Sequence, residues 1–340
     1  MPIGSSDYTE IMAAVAADKE DELFDNVAVD SPTMDLFREF ATSTHGRLIE
    51  LRVRGGKNES TTRTDDSGTF NATLDGSILG VVKYDFSDIY VSHTRVATKT
   101  LAMIGGEEEI VDLANEQLNA AVEGHRDELV GDLFARVAYG ESDHDDGAIY
   151  GLDALTGDAA YDADPAGDGS IDPLVVGGVD TSQTQNEFWQ AVRREYPVDG
   201  SVDVKNAFRK MANALYVGSR KRPSHLIVGE DLYDEYESSL DEAVRYHQMD
   251  SGETRFTELR FSNLVVRLDP DCNPKRGYFL YRPSWRFKHL PNFFMRAQDT
   301  QKVPGTLDSV TPLASILGLG VNERGANGVL LRPDTAGGDA

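Results

Sequence analysis

Residues 48–92 are polar and extended in character, and they run into one long amphipathic helix. LIELRVRG (48–55) and GVVKYDFSDIYVSH (80–93) read as two strands with partial alternation, Leu51 and Val53 on one and Val82, Tyr84 and Phe86 on the other. The segment between them, GKNESTTRTDDSGTFNATLDGSILG, is too polar for a core, and its Gly, Asn, Asp and Ser mark turns. Its threonines and Phe70 favour extended backbone, which suits a β-hairpin with a polar tip. Arms of about 20 residues at about 3.3 Å each would project about 60 Å, against a radius of gyration of about 20 Å for a compact chain of this length. The stretch is therefore either a hairpin that lies on another molecule or a long mobile surface loop, and its residues alone leave both readings open.

The rod that follows is predicted over Glu107 to Ala138. Ile110, Ala114, Leu118, Val122, His125, Leu129, Leu133 and Val137 recur at helical spacing, widened by Leu113, Ala121, Val130 and Phe134. Gly105 and Gly106 precede it, and Glu107, Glu108 and Glu109 suit the positive end of a helix dipole. His125, alone on the apolar stripe, reads as a core histidine with its hydrogen bonds met rather than a metal ligand.

Elsewhere the order is an N-terminal arm (1–47) with short helices near Thr9–Ala17 and Met34–Thr44, then a polar Asp- and Gly-rich segment at 139–173. A helix containing Phe188, Trp189 and Val192 follows, then a helix over Asp203–Val217, a buried strand at 225–230, the helix DLYDEYESSL, short strands through LRFSNLVVRLD and YFLY, and two strands around a Gly/Asn turn in SILGLGVNERGANGVLL. Helices and strands are segregated rather than repeated as βαβ units, which predicts an α+β fold.

Charge narrows the function. With 58 acidic residues against 33 basic and a net charge of −25, the surface repels nucleic acid and acidic membranes and argues against sequence-specific DNA binding. It also suits solubility in molar salt, where the Debye length falls to about 3 Å, so a halophilic source is expected. The basic residues gather at Arg193, Arg194, Lys205, Arg209, Lys210, Arg220, Lys221 and Arg222. The simpler reading makes them ion-pair partners of acidic neighbours, and the sharper one a contact patch for another subunit's acidic surface or for confined nucleic acid. No apolar run has the length of a membrane span, and MPIGSSDYTE lacks the basic and apolar regions of a signal peptide. The single cysteine, Cys272, excludes an intrachain disulfide and reads as structural.

Motifs for catalysis are missing: no GxxxxGK[ST], HExxH or GxSxG occurs. Glu141, Asp143, His144, Asp145 and Asp146 have metal-binding chemistry, but carboxylates this dense on a polar loop of an acidic chain read as solvated. The calcium-loop match starting at Asp162 and Asp164 fails, with Ala166 at the fifth position and Pro173 at the twelfth. No catalytic residue, cofactor or metal site is predicted.

Taken in order, the N-terminal arm, the extended loop, SHTRVATKTLAMIGGEEEIVDL entering the long helix, GLDAL (151–155), GGVDTSQTQNEFWQAV (177–192), RPSHLIVGEDLYDEY, LRFSNLVVRLDPDCNPKRGYFLY and the terminal NGVLL resemble the major capsid proteins of tailed double-stranded DNA viruses with the Hong Kong 97-type fold. The acidity points to a virus of halophilic archaea. The resemblance implies an α+β subunit with an N-terminal arm (1–47), an extended β-hairpin loop (48–95), a peripheral domain (96–195 and 285–312) with its spine helix, an axial domain (196–284 and 313–331) and a C-terminal tail (332–340). It implies that the hairpin lies over a neighbouring subunit, with Arg54, Lys57, Arg63, Asp65, Asp66, Phe70 and Asp75 as contact residues. It ascribes the glycines of the terminal segment to close packing near a symmetry axis. It further implies a structural protein, not an enzyme, which forms hexamers and pentamers of an icosahedral shell around packaged viral DNA without sequence specificity. Assembly is expected in the host cytoplasm, with separate scaffolding, portal and decoration proteins as partners and no membrane. Some relatives lose a scaffolding segment of about a hundred residues; only residues 1–47 precede the hairpin here, so a separate scaffold is expected. Lys57 with Asn322 or Asn327 fits the residue types of a crosslink, although an ordinary surface lysine accounts for Lys57. An encapsulin-like compartment is the alternative within the same fold, and a halophilic metal-dependent enzyme using the 141–172 loop is the alternative outside it.

Overall fold

The computed structural model describes residues 31–54, 79–96, 107–134, 149–156, 175–180, 188–195, 203–240, 259–298, 301–302 and 309–332. Ser31 caps helix α1 (Pro32–Arg38), accepting a hydrogen bond from the Met34 amide, and Pro32 occupies the first turn, where its missing N–H costs nothing. The helix is shorter than Met34–Thr44 because Thr42–Ser43 (β1) leaves it to pair in parallel with residues 288–289. The expected helix at Thr9–Ala17 lies outside the described residues.

β2 (Leu48–Arg54) and β3 (Leu79–Asp85) form the antiparallel base of the hairpin, from Leu48 opposite Asp85 to Arg54 opposite Leu79. Ile49, Leu51 and Val53 alternate inward against exposed Glu50, Arg52 and Arg54, and Val82 and Tyr84 are buried across from them. Two corrections follow. The second strand does not continue to 93: the chain turns through Phe86–Ile89, and β4 (Tyr90–Val96) pairs antiparallel with residues 309–315 in another sheet. The base of the arm also buries its apolar face in its own subunit's core.

Helix α2 (Glu107–Phe134) spans 28 residues, about 42 Å at the rise of a regular helix. Leu118, Ala121, Val122, His125, Leu129, Val130 and Leu133 are buried along one stripe, and this side packs along β4. Residues 135–138 of the predicted helix lie outside the described residues. A short helix, α3 (Leu152–Thr156), is wholly buried. β5 (Val175–Val176) and β6 (Val179–Asp180) close a tight hairpin through Gly177 and Gly178, whose φ values of 63° and 77° are what a two-residue turn with both centres left-handed requires.

Val192 lies in a strand, β7 (Val192–Glu195), rather than in a helix with Phe188 and Trp189: the β-branched residue and the two arginines pair in parallel with 328–331. Helix α4 (Val204–Ser219), β8 (His225–Val228), helix α5 (Glu230–Ser239), β9 (Leu259–Phe261), β10 (Leu264–Leu268) and β11 (Arg276–Leu280) follow. β10 runs parallel to β8, so this part contains one crossover carrying a helix, which the expectation of fully segregated elements did not include. β12 (Trp285–His289), β13 (Arg296–Ala297), β14 (Gln301–Lys302), β15 (Ser309–Ser315), β16 (Leu317–Val321) and β17 (Gly328–Leu331) complete the chain's strands among the described residues.

The six-stranded mixed sheet, in the order β7-β17-β11-β8-β10-β9, separates two cores. Leu226, Val228, Val266, Phe279 and Leu330 join Phe208, Met211 and Leu215 of α4 and Leu232 and Tyr236 of α5. Ile227, Tyr278, Leu280 and Val329 point to the other face and the main core. That core also takes in the β2–β3 base, the α2 stripe and the three-stranded sheet β1-β12-β16. A four-stranded sheet joins β13, β15 and β14, with β4 on β15.

β16 and β17 do not pair with each other: β16 is antiparallel to β12, β17 lies between β7 and β11, and a short 3₁₀ turn at Arg324–Ala326 separates them. Packing within one chain accounts for the glycines of β16. A Cβ at Gly320 would sit 2.6 Å from Cδ2 of Tyr84, and one at Gly318 would collide with Ile49, so these glycines let the hairpin base lie flat on β16.

Candidate functional site

Charged and polar groups inside the subunit are used to tie segments together. Arg324 is fully buried, and its guanidinium donates to the carbonyl oxygens of Leu155 (3.2 Å), Ala154 (3.3 Å) and Trp189 (3.3 Å). Two of these carbonyls belong to the last turn of α3, where backbone acceptors lack helical partners and a cation is favoured. The side-chain amide of buried Asn327 accepts from the Tyr281 amide (2.7 Å) and the Trp285 indole N–H (2.9 Å), and donates to Ser284 Oγ and the Glu323 carbonyl (both 3.0 Å). With both ends engaged in the interior, Asn327 is not presented to a lysine of another chain. Asp269 accepts from Ser31 Oγ (3.0 Å) and the Thr33 amide (3.1 Å), fastening the start of α1 to the end of β10. Tyr84 donates to the Val321 carbonyl at 2.7 Å, pinning the hairpin base to β16.

His125, predicted as a core histidine, is 2% exposed and lies between Ser315 Oγ at 2.8 Å and Ser92 Oγ at 3.4 Å. Burial pushes its pKa down to about 4. Cys272 is buried, and desolvation, with the Asp269 charge adding, holds its thiol well above the ordinary value, the opposite of what a nucleophilic thiolate needs. Among the described residues no three His, Cys, Asp or Glu side chains converge as metal ligands, and no helix is long and apolar enough to cross a membrane. Glu141, Asp143, His144, Asp145 and Asp146 and the 162–173 loop lie outside the described residues.

Of the predicted contact residues, Arg54 is exposed at the last described position of β2. Lys57, Arg63, Asp65, Asp66, Phe70 and Asp75 lie outside the described residues. The basic surface of α4 and the turn after it is more informative. Lys221 pairs with Glu323 at 3.1 Å, and Lys205 donates to the Ser239 carbonyl. Among the described residues, however, Arg209, Lys210, Arg220 and Arg222 have no carboxylate within 4.0 Å. Arg209 donates to Asn206 Oδ1, and the Arg222 guanidinium stands 4.7 Å over the Tyr216 ring. Among the described residues, the ion-pair reading therefore holds for Lys221 and not for these four. Beside them Tyr216 is exposed and Val217 is 80% exposed, placing apolar surface next to these cations. The signal was in the sequence as KNAFRKM and YVGSRKRP, but which cations lack partners depends on the folding of residues far apart in the chain.

No protein-family model and no curated protein matches the chain. Among solved structures it is similar to a chain of the cyanophage A-1(L) capsid asymmetric unit, at a TM-score of 0.62 and 14% identity, covering 90% of this chain and 94% of that one. It is similar to the capsid of the empty GTA particle at a TM-score of 0.52 and 11% identity, covering 87% and 89% of the two chains. A structure from Mycobacterium phage Cain gives 0.52 and 11%, covering 90% and 92%. What such similarity carries is the fold: the chain has a mixed α+β fold resembling the Hong Kong 97-like fold of phage capsid proteins.

Proposed function

We propose that this chain is a structural major capsid protein that assembles with copies of itself into hexamers and pentamers of an icosahedral shell around double-stranded DNA. The observation that carries the reading is the end-to-end likeness to a cyanophage capsid chain, with 90% of one chain and 94% of the other aligned. Among the described residues, the buried side chains of Arg324 and Asn327 hydrogen-bond within the scaffold and Cys272 is held as a thiol.

On this reading the hairpin tip beyond Arg54 and Leu79 reaches a neighbouring subunit through Lys57, Arg63, Asp65, Asp66, Phe70 and Asp75, and α2 is the spine of a peripheral domain. The part built on the six-stranded sheet with α4 and α5 is the axial domain. The net charge of −25 supports a halophilic, haloarchaeal virus, and keeps packaged DNA from adhering to the wall. Scaffolding, portal and decoration proteins are further partners, and assembly takes place in the host cytoplasm. Sedimentation of the purified protein across a salt series tests the reading: large closed assemblies are expected in part of the series, and a 37.3 kDa monomer throughout would refute it.

A further inference from the structure

Asn327–Gly328 is the one Asn-Gly dipeptide in the sequence, and it stands where the 3₁₀ turn at Arg324–Ala326 hands the chain to β17. Each residue is fixed there by a separate demand. Asn327 is needed as an amide: Oδ1 accepts from the Tyr281 amide and the Trp285 indole, and Nδ2 donates to Ser284 Oγ and the Glu323 carbonyl. Gly328 is needed for clearance, because a Cβ on it would collide with the Val192 carbonyl oxygen and the Met211 side chain. Packing thus sets side by side the two residues most prone to deamidation in that order, since a glycine amide nitrogen is the least hindered attacker on a preceding asparagine carboxamide.

The folded chain denies this reaction its geometry. Cyclisation requires the Gly328 nitrogen to turn onto Cγ of Asn327. Asn327 is instead fully buried and extended, at φ −113° and ψ 161°, with its carboxamide held at both ends. Gly328 is held in register between Phe279 of β11 and Val192 of β7. None of these restraints survives when β17 leaves the sheet.

We propose that Asn327 is a deamidation site which the fold keeps closed, and that opening of β17 converts a reversible unfolding into an irreversible one. In the opened chain the Gly328 nitrogen bonds to Cγ, and Nδ2 leaves as ammonia with the proton that Gly328 gives up. Water then opens the cyclic imide at one of its two carbonyls, giving aspartate or isoaspartate. Neither product suits the native site. Ser284 Oγ already donates to the Tyr281 carbonyl at 2.7 Å, so it and the Glu323 carbonyl would present two acceptors to the carboxylate oxygen that replaces Nδ2. A buried carboxylate facing acceptors is disfavoured. Isoaspartate adds a methylene to the backbone at the start of β17 and displaces its register between β7 and β11. Assembly plays no part in this step.

The test incubates the wild-type protein at mildly alkaline pH in buffer and in urea, following Asn327 by peptide mass mapping and enzymatic detection of isoaspartate. Conversion is expected to be at least about tenfold faster in urea, ahead of every other asparagine, because reaction from the native state waits on opening. After dilution from urea, the refolded fraction should fall in step with conversion and contain only unconverted chains. Equal rates in buffer and urea would overturn the inference, as would converted chains that refold in full yield. Asn327→Asp reproduces one product directly: a lower melting temperature or failure to fold supports the inference, and a wild-type melt overturns it.

Discussion

Replacing Arg324 with methionine isolates what a buried cation contributes here. Methionine keeps most of the length and apolar contact of the side chain but removes every donor, so the carbonyls of Leu155, Ala154 and Trp189 lose the partners they have at 3.2, 3.3 and 3.3 Å. An unpaired buried acceptor costs about 1–3 kcal/mol. Against that, the variant no longer desolvates a guanidinium, a term that offsets part of the loss. The balance is a destabilisation of about 3–5 kcal/mol, a large share of the 5–15 kcal/mol typical of a folded domain. Urea unfolding of the isolated subunit reads it as a lower midpoint with an unchanged slope. Arg324→Lys should fall between, since a single ammonium cannot reach three diverging carbonyls as the planar fork does. A methionine variant within about 0.5 kcal/mol of wild type, the range of ordinary surface substitutions, would refute the reasoning.

Gly320→Ala places a methyl group 2.6 Å from the Tyr84 ring and should cost about 1–3 kcal/mol, seen as a lower melting temperature; an unchanged melt would mean that the hairpin base is not held against β16. His125 binds its proton near pH 4 in the folded subunit and near 6.5 in the unfolded chain, so the unfolded state takes up the proton first as pH falls. Its contribution is complete above about pH 6.5, declines between 6.5 and 4, and totals on the order of 3 kcal/mol; His125→Gln should flatten that part of the stability profile relative to wild type. Cys272 should resist a thiol reagent in the native protein and react at once in urea, and fast native labelling would contradict its burial. Deleting residues 56–76 should leave a subunit that melts cooperatively but yields no stable shells, whereas loss of subunit folding would show that the tip belongs to its own core.

Local periodicity carried much of the fold. The alternation through Ile49, Leu51 and Val53 and the stripe from Leu118 to Leu133 are both buried as the pattern requires. Partner choice was not legible, because it depends on contacts hundreds of residues apart. GVVKYDFSDIYVSH reads as one strand, yet Phe86–Ile89 carries the chain from the β2 ladder to the β15 ladder, which is built from residues far downstream. Leu317–Val321 and Gly328–Leu331 look like a hairpin, but each pairs in a different sheet. Arg324 gave no signal and Asn327 only a crosslink reading: one polar residue in a turn reads as solvated until the carbonyls around it are known. Of the contact residues predicted from resemblance, only Arg54 falls among the described residues. Which cations beside α4 meet a carboxylate among the described residues emerges from tertiary structure, since a charge run does not reveal it.

Cryo-electron microscopy of the purified protein under its assembling salt tests whether this subunit is built to enclose. Closed icosahedral particles are expected, in whose density each subunit repeats this fold and residues 55–78 rest on an adjacent subunit. Dispersed single subunits under all conditions, or particles in which those residues fold back on their own subunit, would contradict it.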